Sequence, residues 1–250
     1  MQDLTWLHCL VAVSGLLSNT TASANPAVAD DEGDEVAALL LDRRLMKTKG
    51  RHLTSFFGGS VLAFLSNTSL FPDSTVLAAV PLDTLDAFTT LLHHALGYAR
   101  RFKLLFRSSR DGASAASFHS HCDRKGLTLT LIRDVDNNVF GGYAGVSVEW
   151  GSAACGTWLK DPAAFLFTVA NPHGDPPALF ALKANGYSIF CYSSWGPAFG
   201  DDLYVSGAFD DRCWSGIGYA YVNATRHSGD TVLTGAWRFT PAEVEVWSLE

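Results

Sequence analysis

LLFRSSRDG, residues 104–112, is the stretch that decides the fold of this chain, and GPAFGDDLYV, residues 196–205, is its counterpart later in the sequence. Each stretch joins an apolar, strand-like run to a charged turn that contains glycine. Neither stretch contains a nucleophile beside its base or the ligand set of a metal site. Both stretches therefore predict corners of a fold more directly than they predict a reaction.

Two helical patterns precede a long series of strand-like runs. Apolar residues recur at helical spacing from Asp83, the predicted N-cap, to Gly97, and Ser114 is predicted to cap a second helix that Gly126 ends. The Asn185-Gly186 pair predicts a type I′ turn between two paired strands. The predicted strands cover residues 102–107, 128–133, 139–140, 164–169, 179–184, 187–192, 203–205, 219–222, 232–239 and 243–247. This pattern predicts an α+β, mainly β fold: a two-layer antiparallel β-sandwich decorated by a few helices.

Composition limits the classes of partner and compartment. Hydrophobic residues make up 48% of the 250 residues, which is enough for a sizeable core. The net charge of −7 argues against a nucleic-acid partner, because binding to phosphates requires clustered Lys and Arg. The five cysteines are widely spaced and form no Cys-x-x-Cys pair. Their pattern favours buried thiols in a reducing compartment over a disulfide framework or a zinc site.

Residues 1–73 are predicted to form an N-terminal extension, and residues 74–250 one domain. The parts predicted in the extension are an apolar helix at Trp6–Leu17, an acidic linker at Asn25–Glu35 and a short helix at Glu35–Leu45. The apolar segment is shorter than the ~18 residues that a membrane span requires. The predicted location is therefore cytoplasmic, with no transmembrane segment. The secretory pathway is the alternative if residues 1–24 are a signal peptide, although no basic residue precedes the apolar segment.

Three groups of residues could carry chemistry, and each also has a purely structural explanation. His119 and Cys122 could share one face of the second predicted helix, but no further metal ligands accompany them. Ser109 lies at a strand-to-helix turn, without the Gly-x-Ser-x-Gly pattern of a nucleophile elbow. The acidic residues at 201–202 and 243–245 could form an acid/base pair, but solvated acids flanking strands are the expected arrangement. We therefore predict no catalytic residue, no cofactor and no metal ion.

Taken together, the motifs of residues 74–250 resemble the TLDc domain family. The motifs, in order, are LLFRSSRDG (104–112), FHxxCDxxG (118–126), TLTLIR (128–133), FGGY (140–143), DPAAFLF (161–167), GPxFGxDLYV (196–205), LxG (233–235) and EVEVW (243–247). Each motif is weak by itself, but the ordered series is specific. The stretch before Ser74 lies outside the resemblance.

The resemblance implies a sandwich of two antiparallel sheets and an intracellular, protein-binding factor that protects against oxidative stress. It also implies association with the vacuolar-type proton pump (V-ATPase), and it carries over no catalytic residues because no mechanism is established for the family. The leading hypothesis is a non-catalytic interaction module. The alternative is an enzyme, either a hydrolase or a thiol-based peroxide scavenger, that uses Ser109, Cys122 or Cys191.

The residues expected to shape the fold or a docking surface come from the two opening stretches and the last motif. Asp111 is expected to accept backbone N–H bonds at a helix entrance, Arg110 to pair with a carboxylate, and Gly112 to adopt a positive φ. The full set is Ser109, Arg110, Asp111, Gly112, Gly196, Pro197, Phe199, Gly200, Asp202 and Glu245.

Overall fold

The computed structural model describes residues 70–97, 101–151, 156–184 and 186–249. The predicted elements of the N-terminal extension up to residue 69 lie outside these residues, as does Asn185 of the predicted turn. The boundary between residues 73 and 74 stays a prediction, while the packed core already includes Phe71, which contacts Phe88, Phe102 and Trp247.

Short strands dominate the described residues, and three α-helices precede most of them. The helices are α1 (Leu82–Leu96), α2 (Ser108–Asp111) and α3 (Ala115–Cys122), with a 3-10 helix at Gly229–Thr231. The first six strands are β1 (Phe102–Arg107), β2 (Thr128–Asp134), β3 (Val139–Ala144), β4 (Thr157–Leu159), β5 (Phe165–Ala170) and β6 (Ala178–Ala181). The others are β7 (Ile189–Cys191), β8 (Ala198–Phe199), β9 (Leu203–Tyr204), β10 (Cys213–Ser215), β11 (Arg238–Phe239) and β12 (Pro241–Leu249).

Antiparallel pairing organises these strands into one large and two small sheets. The large sheet has the order β1-β12-β2-β3-β5-β6, and the small sheets have the orders β11-β10-β9-β8 and β4-β7. The last strand of the chain, β12, lies between β1 and β2, so that the final motif is held next to the first. The prediction of a mainly β, antiparallel sandwich with a few helices is confirmed.

Both faces of the large sheet are covered, and a separate hydrophobic cluster fills each side. One cluster joins the large sheet to the small sheets, with Phe140 and Val246 on one side and Phe199 and Leu203 on the other. The second cluster packs α1, through Phe88, against the opposite face of the large sheet. Burial on both faces explains why 164–169 reads as a continuous apolar run rather than an alternating one.

The helices confirm two predicted ends and contradict two others. Helix α3 ends at Cys122 with Asp123 as its C-cap, before the predicted end at Gly126. Ser114 caps α3 by accepting a hydrogen bond from the backbone N–H of Ser117. Gly97 follows α1 with a φ of 84°. The N-cap of α1 is Pro81 rather than Asp83, whose carboxylate instead accepts the N–H of Thr84 within the first turn.

The predicted hairpin around residues 185–186 is wrong, because its two strands belong to different sheets. Strand β6 pairs with β5, and β7 pairs with β4. Residues 181–183 bond instead to a distant segment, since Lys183 N–H donates to Ala220 O at 2.9 Å and Val222 N–H donates to Ala181 O at 2.8 Å. The predicted strand at 219–222 is reduced to this bridge, and that at 232–239 to β11.

Candidate functional site: two corners built on buried carboxylates

The first corner comprises residues 107–112 together with Glu243 and Glu245 of β12. Arg107 ends β1 and lies opposite Glu245 in the strand register, so that the turn into α2 faces both glutamates. The hydroxyl groups of Ser108 and Ser109 both donate to the Glu243 carboxylate. The N–H of Ser109 donates to it as well, at 3.0 Å. Glu243 is thus fixed by the first residues of α2.

Glu245 is fully buried and is surrounded by donors from three parts of the chain. Arg107 Nε lies 2.9 Å from its carboxylate, and the Ser74 hydroxyl lies 2.6 Å from it. Thr75 donates through both its N–H and its hydroxyl at 2.9 Å, and Trp247 Nε1 approaches at 3.3 Å. This buried carboxylate therefore ties the segment before α1 to β12. The role of residues 74–75 was not predicted, because nothing local to them signals a partner so distant in sequence.

Opposing effects set the protonation of Glu243. Burial raises its pKa, but the hydrogen bonds from the Ser108 and Ser109 hydroxyls and from the N–H of Ser109 favour the ionised form. The net pKa is lowered, so Glu243 is a carboxylate at neutral pH and a poor acceptor of a proton from the Ser109 hydroxyl.

Arg110 and Asp111 form the outer edge of the first corner. Asp111 accepts the backbone N–H of Arg107 at 2.9 Å, as expected for an acid at a helix entrance. Arg110 binds the same carboxylate with Nε at 2.8 Å and a terminal nitrogen at 2.7 Å, and its side chain is 47% exposed. This hydrogen-bonded pair lowers the pKa of Asp111 and raises that of Arg110. Gly112 has the predicted positive φ, at 97°.

The second corner, residues 196–205, is built on one fully buried acid, Asp202. Four consecutive backbone N–H groups, those of residues 218–221, donate to its carboxylate at 2.5 to 3.3 Å. Burial raises the pKa of Asp202, and these four bonds oppose the increase. Gly200 has a φ of 57°, and a methyl group there would lie 2.7 Å from the Ala220 Cβ. Asp202 therefore fixes the course of a loop that is distant in sequence.

The other residues of the second corner form the β8–β9 strand pair and the residues on either side of it. Gly196 N–H donates to Val205 O at 3.0 Å, and Val205 N–H donates to Pro197 O at 3.1 Å. Phe199 is fully buried and meets Trp150 edge to face, with ring centroids 5.5 Å apart. These contacts give the GPxFGxDLYV motif a packing role.

Three of the four acids predicted to be solvated are in fact buried, and only Asp201 is exposed as predicted. Glu243 is 5% exposed, and Glu245 and Asp202 are fully buried. The structure brings the two glutamates together through the Thr75 hydroxyl, which lies 3.5 Å from Glu243 and 2.9 Å from Glu245. Among the described residues, no hydrogen bond joins Asp202 to either glutamate. The predicted default was wrong because hydrogen-bond donors from distant segments compensate the burial of each carboxylate.

The cysteines considered for peroxide chemistry are buried in the sandwich core. Cys122 and Cys191 are at most 1% exposed. Burial raises the pKa of Cys122 far above its ordinary value and that of Cys191 to about 12, so both are protonated thiols at neutral pH. His119 lies beside Asp123, with Nδ1 3.3 Å from the carboxylate, rather than with other metal ligands. Within the described ranges, no group of three or more His, Cys, Asp or Glu residues is arranged to hold a metal ion.

One surface was missed entirely by the sequence interpretation. Six aromatic residues of the small sheets and their loops, here called the aromatic strip, form a continuous series of ring contacts across the outer face. They are Trp158, Phe190, Trp195, Tyr204, Trp214 and Trp237. Four of the seven tryptophans of the chain lie in this strip. The number of tryptophans was visible in the composition, but their convergence depends on pairing between distant strands.

Comparison with known proteins identifies the family. The TLDc domain family matches residues 85–250, more than half of the chain. The mouse (Mus musculus) protein named MTOR-associated protein MEAK7 is 34% identical over 116 residues. That alignment covers 46% of this chain and 23% of the mouse protein. No helix among the described residues has the length and apolar character needed to cross a membrane. The chain belongs to the TLDc domain family.

Proposed function

We propose that this chain is a non-catalytic interaction module that protects cells against oxidative stress by associating with the vacuolar-type proton pump. The main support for this proposal is that the groups of the first corner that could have been catalytic form structural hydrogen bonds instead. Ser109, the candidate nucleophile, donates its hydroxyl to Glu243, whose pKa is lowered. The corner then presents the exposed guanidinium of Arg110, paired with the largely buried carboxylate of Asp111, which suits recognition of a partner.

The proposed docking surface is centred on Arg110, and the cytoplasm is the proposed compartment. Asp111 restrains the guanidinium through two hydrogen bonds, so that part of the entropy cost of fixing it on binding is already met. The name of the mouse relative, MTOR-associated protein MEAK7, adds mTOR as a second candidate partner.

Affinity purification from cells tests this proposal. Tagged full chain, expressed at native level, should enrich proton-pump subunits over an unrelated tagged protein. Cells lacking the chain should lose viability in peroxide and recover when it is restored. If neither pump subunits nor mTOR are enriched, the proposed association is wrong. Imaging of the full chain with and without residues 1–24 would test the cytoplasmic location.

Peroxide consumption by the purified chain tests the enzymatic alternative separately. The wild type and a Cys122→Ser variant should both consume peroxide at the background rate, since burial keeps the thiol protonated. A rate above background that Cys122→Ser abolishes would replace the interaction module with a scavenger.

A further inference from the structure

The aromatic strip lies on a surface that a sandwich ordinarily makes polar. In β10, Cys213 and Ser215 point into the core and are fully buried, so that Trp214 between them points outward. Strand β7 repeats the pattern, with Phe190 between two fully buried residues. The side chains on the solvent-facing side of an antiparallel sheet are usually polar. Aromatic side chains at these outward positions mark a binding surface.

The rings of the strip contact one another in succession, and in its middle the largely buried Tyr204 contacts both Trp195 and Trp214, which also contact each other. Successive ring centroids from Trp158 to Trp237 are between 3.8 and 6.2 Å apart. Trp158 is 39% exposed and Trp237 is 36% exposed, so both ends are open to solvent. Gly216 provides a seat for one ring, because a methyl group there would lie 2.5 Å from Cζ3 of Trp237. The strip is therefore a positioned surface rather than a set of scattered rings.

The strip offers more hydrogen-bond donors than acceptors. The four indole N–H groups make no hydrogen bond to any residue that the structure describes, and an indole can only donate. A shallow depression of about 390 Å³ lies beside Trp195 and Tyr204, and Arg212 adds further N–H donors to its wall. A ligand that complements this surface needs apolar rings and carbonyl acceptors, with few donors of its own.

Charges around the strip largely cancel. Arg212 is paired with Asp210 at 2.7 Å. At the other end, Arg238 shares the outward face with Trp214, its partner in the strand register, while the Asp230 carboxylate lies beside Gly216. The strip therefore complements an uncharged, acceptor-rich ligand and disfavours a highly charged chain such as nucleic acid.

We infer that the aromatic strip binds a proline-rich segment of a partner protein in the polyproline II conformation. Such a segment leaves its carbonyl groups without internal hydrogen bonds, and proline has no N–H to satisfy. Proline rings pack against ridges of aromatic side chains. Because Trp195 and Trp214 are only 5.9 Å apart, the strip is at most about 22 Å long, and a polyproline II helix rising ~3.1 Å per residue covers that distance within about seven residues. This inference requires only the aromatic strip and does not depend on pump association.

Titration of the purified full chain with a blocked octaproline peptide tests the inference. We expect saturable binding, followed by calorimetry, and no binding of a Gly-Ser peptide of equal length. Trp158→Ala and Trp237→Ala, at opposite ends of the strip, should each weaken binding by about tenfold. Leu82→Ala, which shortens an exposed apolar side chain on α1, should leave it unchanged.

A second variant separates loss of binding from loss of folding. Gly216→Ala displaces the Trp237 ring without removing it and should weaken octaproline binding, while Trp237→Phe should restore most of it relative to Trp237→Ala. Far-ultraviolet circular dichroism and melting temperature verify that each variant is folded. Equal binding of the Gly-Ser peptide, or octaproline binding unchanged in both end variants, would overturn the inference.

Two other occupants would also overturn it. Binding of cellohexaose but not octaproline, lost in Trp237→Ala, would make the strip a carbohydrate platform. A dimer seen by analytical ultracentrifugation in the wild type and lost in Trp237→Ala would make a second copy of the chain the occupant.

Discussion

Both corners of this domain are built on buried carboxylates, but the carboxylates receive different donors. At the first corner, side-chain hydroxyls and the Arg107 guanidinium make most of the bonds to Glu243 and Glu245, and the backbone adds the N–H of Ser109 to one and the N–H of Thr75 to the other. At the second corner, four backbone N–H groups bind Asp202. Side-chain donors can turn toward solvent when their partner is removed, whereas backbone donors move only if the loop moves. The second corner is therefore the more rigid of the two, and the first is a surface that can present a partner-binding group.

Removal of the Asp202 carboxylate should have the largest effect. Asp202→Ala leaves the N–H groups of residues 218–221 without their acceptor, those of Ala220 and Tyr221 in buried positions, which should reduce the free energy of unfolding by about 4 kcal/mol or more. Urea denaturation measures this loss. Asp201→Ala is the matched control, because Asp201 is exposed and should change stability by less than ~0.5 kcal/mol. Similar losses of unfolding free energy in the two variants would contradict the claim that the Asp202 carboxylate holds the second corner rigid.

Removal of the Glu245 carboxylate should reduce the free energy of unfolding somewhat less than removal of the Asp202 carboxylate does. Glu245→Ala frees the donors of Arg107, Ser74 and Thr75, and Arg107 lies close enough to the surface to be hydrated. We expect a loss of about 3 kcal/mol by urea denaturation. Glu245→Gln should recover part of it, since the amide retains one acceptor oxygen. A loss larger than that of Asp202→Ala would reverse the order of the two corners.

Substitutions of one glycine in each corner show the effect of backbone strain with and without a steric clash. Gly200→Ala combines positive φ with contact against Ala220 and should destabilise by about 2–3 kcal/mol. Gly112 has no atom within 4 Å of the added methyl position, so Gly112→Ala should cost only about 1 kcal/mol. Gly112→Val should lie within about 1–3 kcal/mol. An unchanged melting temperature for Gly112→Val would show that its positive φ carries no penalty.

Loss of the Ser109 hydroxyl should have the smallest effect and a pH dependence. The net pKa of Glu243 is lowered, so its ionised form stabilises the fold above the ordinary pKa of a glutamate and loses this contribution as pH falls through the folded-state pKa. Ser109→Ala should cost about 1 kcal/mol near pH 7 and less at a pH below the folded-state pKa of Glu243, where this side chain is protonated in both proteins. Urea denaturation at the two pH values measures the difference. A loss of equal size at both values would contradict the assigned role of Glu243.

The sequence predicted the fold where information was local. The Ser114 cap and the continuous apolar run at 164–169 follow from neighbouring residues, and both are confirmed. The predicted alternation of residues 102–107 is wrong at its end, because an irregularity between Leu104 and Phe106 places Phe102 and Phe106 in different core clusters. The predicted hairpin around residues 185–186 was wrong because the backbone of residues 181–183 bonds to Ala220 and Val222, which lie in and next to the loop that Asp202 holds. Such partners are set by tertiary packing, which no local pattern reports.

The candidate site was predicted only in part for the same reason. Arg110, Asp111 and Gly112 behave as their types and positions indicated, since each acts within one turn of chain. The burial of Glu245 depends on Ser74 and Arg107, far away in sequence. The aromatic strip likewise requires strands that only the folded chain brings together.

Recovery of proton-pump subunits with the Arg110→Ala variant tests the central claim most directly. The claim predicts about tenfold lower recovery than with the wild type, because the exposed guanidinium at the first corner is the proposed docking group. Arg124→Ala is the matched control, since Arg124 also forms an exposed ion pair, with Glu149, outside both corners. Recovery should be unchanged in that variant. Equal recovery with the wild type and both variants, measured at equal expression and melting temperature, would contradict docking through the first corner.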